Sequence, residues 1–172
     1  MTRDNETHLF TDTNVAIDAF VFQHGDDTPM QLDTGNLTFV GTPAGLLLTM
    51  IGNQELVNGK RLVLHTSERS LKDMAAKLTS NYGWTEPATK QAMIKMIQLM
   101  KASGGTICRI GEAINIRTDE RVTDREDQHR LAEARKCGAD IFVSRDGDVL
   151  DLGVTHPVVM TPRQFLDRSR RR

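Results

Sequence analysis

Short apolar runs alternate with helix-length segments along this chain, and that alternation limits the folds open to it more than any other feature. The run ending at Thr11 passes through TDTN into VAIDAF, a strand followed by a helix. RLVLHT (61–66) is a second strand; Ser67 then caps ERSLKDMAAKLTS, and Thr85, Glu86 and Pro87 open ATKQAMIKMIQLMKA, which stops at Gly104-Gly105. TICRI (106–110) reads as a strand, Asp124 opens DREDQHRLAEARKCG, and ADIFVS (139–144) and HPVVM (156–160) are further strands before a last helix, TPRQFLDRS. Strands separated by helices of about 12 to 16 residues imply right-handed crossovers and a mostly parallel sheet covered on both faces. The expected class is therefore three-layer α/β/α.

Two stretches fit less simply. Residues 23–36, HGDDTPMQLDTGN in their core, are rich in Gly, Asp and Pro and predict a loop or inserted hairpin, with LTFV (37–40) as a candidate extra strand. Thr42-Pro43 then opens AGLLLTMIGNQELV, expected as an apolar helix ending near Gly59.

A chain of 172 residues, 38% hydrophobic, fits one domain over residues 1–167 with a basic tail, RSRRR, at 168–172. Such a domain buries about two-thirds of its unfolded surface without staples. The 22 basic and 23 acidic residues give a formal charge of -1, which excludes a strongly basic nucleic-acid binder while permitting local patches. Cys108 and Cys137 lack metal-ligand spacing and read as reduced thiols. With no apolar run of about 20 residues and no signal-peptide pattern at MTRDNETH, a soluble, cytoplasmic protein without membrane contact is expected. The histidines at 8, 24, 65, 129 and 156 have no ligand-like spacing.

Carboxylates carry the chemistry. In open parallel sheets, binding groups collect outside the carboxyl ends of the strands. Asp12 follows the first strand directly, and Asp146 follows ADIFVS just past Ser144. Asp127 lies in the first turn of the helix feeding that later strand, in phase with Leu131 and Ala134 on the face this helix should bury. Acids brought so close repel one another unless a cation neutralises them, and a hard oxygen-donor site suits one or two Mg²⁺ or Mn²⁺ ions. Such ions assist phosphodiester hydrolysis. Each acid also has a plainer use: Asp12 and Asn14 as a capped strand-to-helix turn, Asp124 and Asp127 as an N-cap and its helix-dipole partner, Asp146-Gly147-Asp148 as a turn.

Together, TDTNV, the D-x-x-D that opens a helix, AEARKCGADIFVSRDGDVL and the terminal VVMTPRQFL resemble the PIN domain, the fold of many RNA-cleaving nucleases, including toxins of toxin-antitoxin pairs. The resemblance spans nearly the whole chain, and GADIFVSRDGDVL followed by VVMTPRQFL is its most specific part. It implies an endoribonuclease in which Asp12 and Asp146 hold metal or metal-bound water. Asp127 or Asp124 supplies the acid between them, Asn14 and Ser144 orient carboxylates, and Asp148 is auxiliary. It also implies RNA as substrate, an antitoxin or other protein partner, and a homodimer.

The family's acid on the helix after the second core strand has no clear counterpart. Counting from Ser67 reaches Asp73, yet Leu71, Met74, Ala75 and Leu78 form the buried stripe and Asp73 points about 150° from its centre. Glu68 lies nearer that stripe, and both remain candidates. Two other readings stand beside the nuclease: a PIN-like fold serving only as an RNA-binding or protein-interaction module, and a phosphotransfer domain with Asp12 as nucleophile. Position 14 is Asn where the latter chemistry usually wants a second acid.

Overall fold

The structure is a computed structural model that describes residues 3–21, 39–109, 124–151 and 153–170. The loop or hairpin expected at 23–36, and residues 37 and 38 of the candidate strand, lie outside the described residues, as does the end of the arginine tail. Phe39 and Val40 are described and are not in a strand.

The chain forms an α/β domain around a mixed, largely parallel sheet. Strand β1 (Glu6–Thr11) pairs in parallel with β3 (Lys60–Ser67) on one side and with β5 (Ile141–Val143) on the other. β6 (Val158–Met160) extends the sheet beyond β5, and β4 (Ile107–Cys108) pairs with the far end of β3, again in parallel. The short β2 (Leu56–Val57) is antiparallel to the start of β3. The chain thus builds outward from β1 through β3 to β4, then returns to β1's other edge with β5 and β6. Strand order reverses between β1 and β5, the crevice where open parallel sheets bind ligands.

Helices fill the connections: α1 (Thr13–Asp18), α2 (Pro43–Gly52), α3 (Glu68–Tyr82), α4 (Glu86–Ser103), α5 (Arg125–Lys136), α6 (Gly147–Leu150) and α7 (Pro162–Ser169). The hydroxyls of Thr42, Ser67, Thr85 and Thr161 each accept a hydrogen bond from the backbone N–H three residues on, a side-chain cap at the start of α2, α3, α4 and α7. Gly83 and Gly104, at φ 65° and 85°, end α3 and α4 in the left-handed conformation.

Alternation along the strands sends neighbours to opposite faces. Leu9, Leu64 and Val143 enter one apolar cluster with residues of α1, α2, α3, α4 and α7, whereas Phe10 and Phe142 pack with Leu131 and Ala134 of α5 in a second. Phe10 and Phe142 meet edge to face, centroids 5.7 Å apart. Burying each such side chain contributes about 1.5 to 3 kcal/mol, so this pair sets the register of β1 on β5 and thereby the relation of their two C-terminal ends.

Three expectations need correction. The second helix ends at Gly52 and does not continue to Gly59, because Asn58 and Gly59 adopt φ 54° and 74° and turn Val57 back onto Lys60 as a tight hairpin. The residues after Asp146, for which a turn was the plainer reading, form the single-turn helix α6. Cys108 and Cys137 are not separate thiols: the end of α5 lies beside β4, their Cα atoms are 6.0 Å apart, and they form a disulfide. The inference from reduced thiols to a reducing compartment therefore falls away.

Candidate functional site

The site lies at the C-terminal ends of β1 and β5. Asp12 is the first residue after β1 and is only 1% exposed. It stands at the N-cap of α1, yet its side chain makes no capping hydrogen bond. Its backbone N–H donates to Val143 O at 2.9 Å, which draws the ends of β1 and β5 together. The carboxylate points into the protein: Oδ2 accepts from Ser144 Oγ at 3.1 Å, and Oδ1 lies 3.5 Å from Arg130 Nε. Among the described residues, Oδ1 has no hydrogen-bond donor.

Asp127 reaches the same place from α5. Its side chain is buried and stands 3.5 Å from Nη1 of Arg130, so one guanidinium lies against both acids. Burial pushes the Asp127 carboxyl up to about 6; the negative charges of Asp146, Asp124 and Asp12 push the same way, and Arg130 opposes them. Asp146 follows β5 and is half-buried. Its N–H donates to Ser144 Oγ at 3.0 Å, and its Oδ1 caps α6 by accepting from Asp148 N at 3.1 Å. The buried Ser144 hydroxyl thus links Asp12 to Asp146, and Arg130 links Asp12 to Asp127.

The remaining predicted residues fall elsewhere. Asp124 is exposed and accepts from the N–H groups of Glu126 and Asp127, an N-cap with a carboxylate beside the positive end of α5. Asp148 is exposed on α6. Asn14 Oδ1 accepts from Lys77 Nζ of α3 at 3.1 Å. Glu68 is occupied at the surface by Lys72 and Arg109, each at 2.9 Å; the Lys72 hydrogen bond, with the charges of both cations, lowers its carboxyl. Asp73 is half-buried, and its charge is felt by Glu133 of α5.

Glu133 and Arg130 were not anticipated. Both lie on the buried face of α5 with Asp127. Burial raises the Glu133 carboxyl, a hydrogen bond with Ser67 opposes this, and its Oε2 has no donor among the described residues. The spacing from Asp127 to Arg130 and the stripe shared with Leu131 were visible signals, since three-residue neighbours share a helix face. Asp18 was also missed: it is buried on α1 and ion-paired with Arg145, the residue before Asp146. Burial raises its carboxyl against that pairing.

Arg145, Asp146 and Asn14 border an adjoining cavity of about 910 Å³ that runs to the starts of α2 and α7. Among the described residues, no group of three or more His, Cys, Asp or Glu side chains is already arranged as a metal-binding set. The donor chemistry nevertheless suits a hard divalent cation, because Asp12 Oδ1 is a buried carboxylate oxygen lacking a hydrogen bond and Asp127 stands among like charges. No family model matches the chain, and no curated protein or solved structure matches it.

Proposed function

We propose that this chain is an endoribonuclease of PIN-like, three-layer architecture that hydrolyses RNA phosphodiester bonds with Mg²⁺ or Mn²⁺. The observation that carries the reading is that Arg130 lies 3.5 Å from both Asp12 and Asp127 while Ser144 Oγ contacts both Asp12 and the Asp146 N–H, at the point where strand order reverses. Asp12, Asp127 and Asp146 are the residues that would hold the cation, which when bound supplies Lewis-acid polarisation of a phosphate and a more acidic water. The protein's own residues supply the rest. Ser144 Oγ donates to Asp12 and accepts from the Asp146 N–H, tying the two strand ends together, and Arg130 offsets part of the negative charge of Asp12 and Asp127. A cytoplasmic setting, a homodimer and an inhibitory antitoxin-like partner belong to the same reading.

The test is cleavage of unstructured and structured RNA by the purified chain with Mn²⁺, Mg²⁺ or chelator. Cleavage should require the metal and be lost in Asp12→Asn and Asp146→Asn; activity that survives chelation or both substitutions contradicts the reading.

One observation favours a second reading. Arg130 already ion-pairs with Asp12 and Asp127, so the same residues can serve as an ion-pair network in a non-catalytic RNA-binding or protein-interaction module. Under that reading Mn²⁺ leaves thermal stability unchanged and no RNA is cut.

A further inference from the structure

The cavity beside the acidic site has a different character from the site itself. Val21, Pro43, Ala44 and Pro162 give it apolar walls, and Arg163 and Arg145 bring cations to it. Arg145 is engaged by Asp18, whereas Arg163 is exposed at the start of α7. The N-terminal ends of α2 and α7, helices of 10 and 8 residues, open on the same space with their caps Thr42 and Thr161, adding positive potential at the Arg163 side. Its volume of about 910 Å³ is within the range of small-molecule sites, and apolar walls with a few placed polar groups are the usual makeup of such sites. Because Asp146 belongs to the acidic site and also borders the cavity, a strand whose phosphate lies at Asp146 has its neighbouring nucleotide at the cavity mouth.

We propose that this cavity receives one unpaired nucleotide of the RNA, its base against the Val21, Ala44 and Pro162 walls and its phosphate toward Arg163. This rests on the nuclease reading and gives its substrate a place on the protein: a base held in a helix cannot enter, so pairing of the target nucleotide should block its entry. Among the described residues the walls carry no aromatic ring, so on these walls the base is held by burial and not by stacking.

The experiment is a titration of the intact chain, free of divalent metal, with adenosine 5′-monophosphate, adenosine and inorganic phosphate, followed by amide NMR. The nucleotide should shift Val21, Ala44 and Arg163 and bind about tenfold more tightly than either fragment. Arg163→Glu should weaken it about tenfold, as expected for loss of one charge-assisted contact. Gly41 lines the cavity, and among the described residues a Cβ there meets nothing within 4 Å, so Gly41→Trp should block binding, with its thermal melt checked against the parent's. Shifts absent from the cavity, equal binding of inorganic phosphate, or indifference to both cavity variants overturns the proposal. Nucleotide binding without metal-dependent RNA cleavage would retain the pocket and reject the nuclease; cleavage without cavity shifts would do the reverse.

Discussion

Replacing Asp127 with Asn should stabilise this protein at neutral pH, although it removes half of an ion pair. Asp127 is 7% exposed and faces Arg130 at 3.5 Å, too long for a strong hydrogen bond. Burial and the charges of Asp146, Asp124 and Asp12 outweigh that attraction, so the carboxyl titrates at about 6 against an ordinary 3.8. Between those values the folded chain keeps a proton that the unfolded chain has lost. Stability from this group is therefore full below pH 3.8, falls as pH rises, and is lost above about 6. At about 1.36 kcal/mol per pH unit, the loss is on the order of 3 kcal/mol. Asn mimics the neutral acid at every pH, so Asp127→Asn should exceed the parent by about 1 to 3 kcal/mol at pH 7.5 and match it near pH 3.5. Urea unfolding of both proteins from pH 3.5 to 8, with chelator present, measures the difference directly. Equal stabilities throughout, or a weaker variant at pH 7.5, would show that Arg130 outweighs burial and would refute the reasoning.

Other perturbations follow from the same contacts. Ser144→Ala removes the hydroxyl that donates to Asp12 and accepts from Asp146, and should cost about 2 kcal/mol in urea unfolding. Arg130→Ala leaves two buried carboxylates without their counter-ion and should cost about 3 to 5 kcal/mol, with Mn²⁺ restoring much of the melting temperature. Away from the site, Thr106 N–H donates to His65 Nδ1, which leaves His65 Nε2–H to donate to His8 Nδ1 at 2.9 Å and places the His8 proton on Nε2, facing Glu6. Nitrogen shifts of the two rings should report both as Nε2–H tautomers; an Nδ1–H signal from either contradicts the arrangement.

The positions of the acids on their elements were legible because two rules located them independently. Strand ends placed Asp12 and Asp146, and helical phase placed Asp127 on the buried face of α5. The same phase would have included Arg130 and Glu133, but a sequence pattern treats charge as a mark of the exposed face, so a charged stripe facing inward looks like a solvated one. Asp18 was hidden for that reason, lying among the apolar residues of α1 with a partner, Arg145, more than a hundred residues away. The Asn58-Gly59 pair is a strong hairpin signal that the apolar run before it obscured. The Cys108–Cys137 pairing depends on packing α5 beside β4, which no local pattern encodes. Asp73 illustrates the limit of phase alone: it is turned away from the buried stripe of α3, yet its charge is felt at Glu133 on a neighbouring helix.

The central claim is that Asp12, Asp127 and Asp146 form one divalent-cation site. The most direct measurement is amide NMR of the isotopically labelled chain during titration with substoichiometric Mn²⁺, whose unpaired electrons broaden nearby resonances. Signals from Asp12, Asp127, Ser144 and Asp146 should be lost before any others, and Asp12→Asn should abolish this selectivity. Broadening centred elsewhere, or spread evenly over the exposed carboxylates, would contradict it.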